Sequence, residues 1–260
     1  MNGVSVEAVG AAAERLLQAL RTGQPTTPVR DILGGDVDAA YDVQERVLRD
    51  LESADNPRVG RKVGLTSEAV QRQLRVDQPD FGVLLANMDA TGMAQVPSGR
   101  LLQPRIEAEL AFVLERDVVD PERVLEAVGY VVAALEIVDS RVSDWDITIV
   151  DTVSDNASSA LFVLGDEQRP PDDIDPIAVE MTLERNGETA STGSGAACLG
   201  DPREALKWVA RTAHRLGRPL RAGEIILSGA LGPMVPFGPG TTVTAHLTGL
   251  GSVSATASKE

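Results

Sequence analysis

Glu107 and Glu109 stand one residue apart in the segment Pro104 to Glu115 (PRIEAELAFVLE), which otherwise reads as a β-strand. Side chains at i and i+2 of a strand point to one face, about 6.5–7 Å apart along the chain, so both carboxylates can lean toward one cation. The same alternation of polar and apolar residues describes a strand with one face in water, although Glu is depleted in strands. Glu136 is the only charge within the apolar run Tyr130 to Val138. An ionised carboxylate there is costly unless it is paired or bound to a metal, so one core salt bridge and a metal ligand are both open readings. Together the three Glu offer an all-oxygen donor set, which suits Mg2+ or Mn2+ better than Zn2+.

Other residues could act beside them. Lys62 lies in a predicted strand between Val59 and Val63. A partly buried ammonium there would partner a substrate carboxylate or an enolate oxygen, and a surface lysine is the plainer alternative. Asp80 follows Pro79 just before an apolar run, where it could transfer protons at a strand entry or simply form a turn. The segment Asp151 to Ser159 (DTVSDNASS) packs hydroxyls, an amide and two carboxylates, a composition that suits either carboxylate binding or helix capping. The two histidines, His214 and His246, sit late in the chain and near no motif, and no GxSxG nucleophile elbow is present. The base in any hydration or hydrolysis is therefore expected to be a carboxylate, a lysine or metal-activated water.

Composition narrows the classes further. A formal charge of −15 and the lack of a basic patch argue against a phosphate-backbone partner, and only 3% aromatic residues argue against a base-stacking platform. No stretch approaches a membrane span, and the start MNGVSVEAVG lacks the flank and apolar run of a secretion signal, so a cytoplasmic protein is expected. The single cysteine, Cys198, excludes an intrachain disulfide and agrees with a reducing compartment. No GxGxxG or Walker A sequence supports nucleotide binding.

The elements that must position these residues can be outlined from periodicity. Val6 to Arg21 has helical spacing and stops at Gly23, with Pro25 beyond; Asp36 would cap a second helix through Asp38 to Leu51. These two helices look like a cover for the rest. A strand at Arg58 to Leu65 and a short helix from Ser67 to Leu74 follow. Beyond Pro104 come β-rich runs at Ile106 to Leu114, Tyr130 to Val138, Leu161 to Leu164, Ala178 to Glu184, Ile225 to Ser228 and Thr242 to Thr256. Helices interrupt at Glu122 to Val128 and at Pro202 to Leu216, the latter with Asp201 as N-cap and Gly217 at its end. STGSG (Ser191 to Gly195) reads as turn or bulge chemistry, and Asp166 to Asp175 as an exposed loop. Clustered strands with few intervening helices predict an α+β fold. The expected organisation is an N-terminal α/β cap segment, residues 1–75, packed on a β-rich catalytic domain, residues 76–260, the two forming one compact unit.

With these segments placed, the chain resembles the 2-keto-4-pentenoate hydratase and 4-oxalocrotonate decarboxylase family, a branch of the fumarylacetoacetate hydrolase superfamily. The carriers are GRKVGLTS (Gly60 to Ser67), QPDFGVLLANM (Gln78 to Met88), QPRIEAEL (Gln103 to Leu110), the long run Ala134 to Gly165, and ILSGALGPMVPFGPG (Ile226 to Gly240). The resemblance implies a distorted mixed-sheet barrel or roll under an N-terminal helical cover, assembled as a homo-oligomer. It implies Glu107, Glu109 and Glu136 as ligands of Mg2+ or Mn2+, Lys62 and Asp80 as catalytic groups, and Lys62, Leu65 and Ser158 as substrate contacts. Pro79 to Leu84, Asp144, Trp145 and Asp151 to Ser158 resemble the hydratases of that family more than its decarboxylases, with Ser154 as a small departure. The implied reaction is hydration of 2-hydroxypenta-2,4-dienoate (2-oxopent-4-enoate) to 4-hydroxy-2-oxopentanoate in aromatic meta-cleavage catabolism. Three alternatives stay open: 4-oxalocrotonate decarboxylation, acylpyruvate-type carbon–carbon hydrolysis, and a non-catalytic subunit in complex with a neighbouring pathway enzyme. The absence of histidine before position 214 disfavours the hydrolase.

Overall fold

A computed structural model describes residues 3–67, 71, 76 and 78–259 of the chain. Three helices come first: α1 (Val6–Thr22), the short α2 (Arg30–Leu33) and α3 (Val37–Leu51). Ser5 caps α1 by accepting from the Ala8 N–H, Asp36 caps α3 by accepting from the Ala39 N–H, and α1 ends on left-handed Gly23. The strand β1 (Arg58–Gly64) follows. Most of the helix expected from Ser67 to Leu74 lies outside the described residues.

The remaining elements are β2 (Asp80–Leu85), β3 (Arg105–Leu114), β4 (Val128–Val138), α4 (Ile149–Ser154), β5 (Ser159–Leu164), β6 (Glu180–Arg185), β7 (Glu188–Ser194), α5 (Pro202–Arg215), β8 (Ile225–Leu227), β9 (Val235–Pro236), β10 (Thr242–Leu247) and β11 (Gly251–Thr256). One sheet runs β2-β1-β8-β3-β4-β5, with β9 paired to β3 off that path; the second runs β11-β10-β6-β7. Only β1 and β8 pair in parallel within the first sheet's path, which makes it mixed. It forms a half-barrel, as expected of the α+β class.

Several expected elements differ in detail. The run Thr242 to Thr256 is two strands, because the left-handed Gly249 and Gly251 fold it back into a hairpin. STGSG is mainly the end of strand β7, not a turn: β7 is a largely exposed edge strand, so its small polar residues carry no apolar signal. The hydroxyl-rich segment from Asp151 to Ser159 forms the end of α4, a tight turn and the start of β5. The helix expected at Glu122 to Val128 is a 3-10 segment, Pro121–Ala127.

The period of two in β3 and β4 decides where the site falls. Ile106, Ala108, Leu110, Phe112 and Leu114 join Val131, Ala133, Leu135 and Ile137 in the main core, with Met181, Leu183, Val243 and Ala245 of the second sheet and Leu206 and Val209 of α5. The opposite faces, with Ala111, Val113, Val132 and Ala134, line the inside of the half-barrel with Leu84, Phe162 and Leu227. The apolar stripes of α1 and α3 meet Val142, Val150 and Val153, so the N-terminal helices cover the segment leading into α4. None of the described helices is long and apolar enough to cross a membrane.

Candidate functional site

Glu107, Glu109 and Glu136 belong to the inner face of the half-barrel, not to a solvent face. Glu107 lies directly across from Glu136 in the β3–β4 register, and Glu109 is diagonal to it, opposite Ala134. Glu109 and Glu136 are fully buried, while Glu107 is half-buried. One carboxylate oxygen from each lies within 4.8 Å of the others. The Gly229 N–H donates to Glu109 Oε2 at 2.8 Å, yet among the described residues no hydrogen bond reaches Glu109 Oε1 or either oxygen of Glu136. Buried carboxylate oxygens without donors are costly, and a divalent cation would satisfy them. The site therefore fits such an ion on its own chemistry.

Lys62 and Asp80 face the same cluster from the β1–β2 hairpin. Lys62 Nζ lies 3.1 Å from Glu136 Oε1, an ion pair outside hydrogen-bond geometry. Gly64 is registered with Asp80, and a Cβ at Gly64 would fall 2.2 Å from Asp80 Oδ1; only glycine lets the carboxylate sit there. Asp80 is 1% exposed, and neither of its oxygens receives a hydrogen bond among the described residues.

Four carboxylates thus share one ammonium, and their proton affinities reflect it. Burial pushes Glu107 up to about 7, helped by the charge of Glu136. Burial, then Glu136 and Glu107, hold Glu109 well above the usual carboxylate range. Burial raises Asp80 to about 6 against the opposing pull of Lys62. Burial would lower Lys62, but Glu136, Asp80, Glu107 and Glu109 together outweigh it and raise its affinity for the proton. An excess of buried negative charge of this kind is what a dication neutralises.

Of these groups, Lys62, Asp80 and Glu107 open onto a cavity of about 160 Å3 whose wall also includes Leu65 and Ser158. Ser158 comes from the turn between α4 and β5, and its Oγ lies 3.3 Å from Thr152 Oγ1. Thr152, Trp145, Ile147, Val138, Ala230 and Met234 are among the other wall residues and were not singled out from the sequence as site residues. Thr152 lay within the hydroxyl-rich segment and Trp145 within a motif, but nothing in their local sequence gives the direction in which they face. Trp145 is fixed by donating its Nε1–H to the Gln103 carbonyl, with the Arg105 guanidinium 4.8 Å from its ring centre. A larger cavity of about 500 Å3 lies between the end of α1 and the β4–β5 edge, and it lacks this carboxylate cluster. Asp151 lies outside the cavity and staples α2 to α4. It accepts from the Val29, Arg30 and Thr148 N–H groups, the Thr148 hydroxyl and the Arg30 guanidinium.

Residues 59–257 match the family described as fumarylacetoacetate (FAA) hydrolase C-terminal. A 2-keto-4-pentenoate hydratase of Burkholderia vietnamiensis is 50% identical, over 95% of this chain and 97% of that protein. A 2-hydroxyhexa-2,4-dienoate hydratase of Comamonas testosteroni is 41% identical over 93% of this chain and 94% of that one. A 4-oxalocrotonate decarboxylase structure from Pseudomonas putida G7, complexed with magnesium and adipate, superposes with a TM-score of 0.93 at 32% identity, covering 99% of this chain and 100% of that one. The chain belongs to the fumarylacetoacetate hydrolase family, in its 2-keto-4-pentenoate hydratase branch.

Proposed function

We propose that the protein is a hydro-lyase that adds water to 2-hydroxypenta-2,4-dienoate, giving 4-hydroxy-2-oxopentanoate in the meta-cleavage breakdown of aromatic compounds. The observation that carries this reading is the cluster of donor-poor carboxylates that meets a cavity wall at Glu107, beside Lys62 and Asp80, in a chain 41–52% identical to hydratases of such dienoates. Glu107, Glu109 and Glu136 would hold Mg2+ or Mn2+, which supplies an electrophile for the carboxylate and 2-oxygen of a 2-oxo acid.

The chain's own groups do the rest. The Ser158 hydroxyl donates to the substrate carboxylate, and the Lys62 ammonium stabilises negative charge on the C2 oxygen. Asp80, with its affinity raised to about 6, takes and returns protons near neutral pH. Loss of the C2 hydroxyl proton and delivery of a proton to C5 turn the dienol into an α,β-unsaturated ketone. Water then adds at C4 while C3 takes a proton, for a net gain of one water. The apolar side of the cavity, with Leu65, Val138 and Ile147, accommodates the carbon chain.

Decarboxylation of 4-oxalocrotonate is a second reading, favoured by the close superposition on the decarboxylase, although that protein is only 32% identical. One experiment separates them. The purified protein with Mg2+ or Mn2+ is offered freshly generated dienol and, separately, 4-oxalocrotonate. Loss of dienol absorbance without CO2 release from the second substrate is expected, and rapid CO2 release would establish the decarboxylase instead.

A further inference from the structure

Asn156, Ala157 and Ser158 are three consecutive residues in the left-handed region, with φ of 55°, 52° and 55°. A side chain with a Cβ disfavours that region; Asn tolerates it best, and Ala and Ser gain nothing from it. No glycine eases the turn, so its surroundings must hold it. Part of the restraint is Arg141, which donates from its backbone N–H and Nε to the Asp155 carboxylate and from Nη2 and Nη1 to the Asp155 and Ser159 carbonyls. That clamp grips the chain on either side of the turn.

The turn itself is gripped by Asn156. Its Oδ1 accepts from the Val83 N–H at 2.8 Å, and its Nδ2 donates to the Val83 carbonyl at 2.8 Å, both buried. One side chain thus offers a β2 residue the donor and acceptor that a neighbouring strand's backbone would supply. β2 and β5 are the two ends of the mixed sheet and do not pair with each other. The Asn156 carboxamide bridges the gap where the half-barrel is open. Close approach here depends on Gly82, where a Cβ would fall 2.4 Å from the Asn156 carbonyl oxygen. Gly82 is registered with Lys62, and β2 begins at Asp80, so the bridge ties the turn carrying Ser158 to the wall carrying both proposed catalytic groups.

We propose that Asn156 is a positioning residue whose carboxamide stands in for a strand backbone, holding the left-handed turn so that the Ser158 hydroxyl faces the substrate carboxylate. This rests on the reading of the cavity as a 2-oxo acid site. Asn156 itself touches no substrate.

The test compares wild type with N156A, using oxalate as an isostere of a pyruvate enolate. Expected for folded N156A are Mn2+ affinity within twofold of wild type, oxalate affinity of the Mn2+-loaded protein at least tenfold weaker, and a KM for the dienol raised more than kcat is lowered. In the metal-free protein, the Val83 amide should exchange its hydrogen at least tenfold faster. Adding A157G, which makes the left-handed turn easier for the chain, should recover part of the oxalate affinity. Folded N156A with oxalate affinity within twofold of wild type would overturn the proposal, as would Mn2+ affinity falling in step with oxalate affinity. Should N156A fail to fold, N156D carries the same comparison, because it keeps the Oδ1 acceptor and loses the donor to Val83. Wild type that binds Mn2+ and oxalate but hydrates no dienol would remove the hydratase reading, while the oxalate comparison would still decide the role of Asn156.

Discussion

Glu136 has two partners in view: the ammonium of Lys62 at 3.1 Å and, across the sheet, the carboxylate of Glu107. Its substitution by Gln should therefore act on both metal affinity and the placement of Lys62. Losing an outer partner of a metal ligand typically costs about 10–100-fold in affinity, so loss of a proposed ligand should cost at least about 100-fold, read by calorimetric Mg2+ or Mn2+ titration. The pH dependence follows from Glu107, raised from 4.5 to about 7 in the folded chain. A carboxyl group raised on folding binds more protons in the native state, so its contribution to metal-free stability should be complete below about pH 4.5 and be lost as pH rises through about 7. Bound cation must displace those protons. The gain in Tm on adding Mg2+ should thus widen between pH 5.5 and 8, and a gain that shrinks over that range would contradict the assignment.

Among the elements, β3 and β4 do most of the positioning. Their alternate residues build the core on one face and the carboxylate cluster on the other, so a core truncation should loosen the site from behind. Leu135→Ala, at a fully buried position adjacent to Glu136, should cost about 2–5 kcal/mol in denaturant unfolding. Asp151→Ala should cost on the order of 3 kcal/mol, because it strands the buried N–H of Val29 and the part-buried N–H of Thr148 and removes a partner of Arg30. The i, i+2 spacing of Glu107 and Glu109 and the lone charge of Glu136 made the carboxylate cluster legible in the sequence. The face they occupy was not, since alternation describes a solvent face and a barrel interior equally well. β7 was misread for a related reason: an exposed edge strand of Ser, Thr and Gly has the composition of a turn.

For the whole molecule, the N-terminal helices share apolar contacts with the segment leading into α4, and Tyr41 and Leu51 touch both their cluster and the main core. We propose that residues 1–75 are a cap on one cooperative unit. Far-ultraviolet circular dichroism and the fluorescence of Trp145 and Trp208 should report coincident unfolding, and separated transitions would show an independent cap. Saturation with the cation at 100 times its Kd should add about 2.7 kcal/mol of stability, reversed by a chelator.

Local chemistry in the sequence determined the helix caps at Asp36 and Asp201, the α+β class, and the three carboxylates suited to a hard cation, because capping, periodicity and ligand type depend on near neighbours. Only the tertiary structure decided that Lys62, Asp80 and Ser158 meet those carboxylates, that Trp145 and Met234 wall the cavity, and that Asn156 spans the open edge of the half-barrel. These contacts join segments far apart in the chain through strand order and register, and neither quantity is written in the spacing of any one segment. Glu107 and Glu109 could be seen as a pair from their two-residue spacing; that they cluster with Glu136 inside the half-barrel depended on which face of the sheet turned inward.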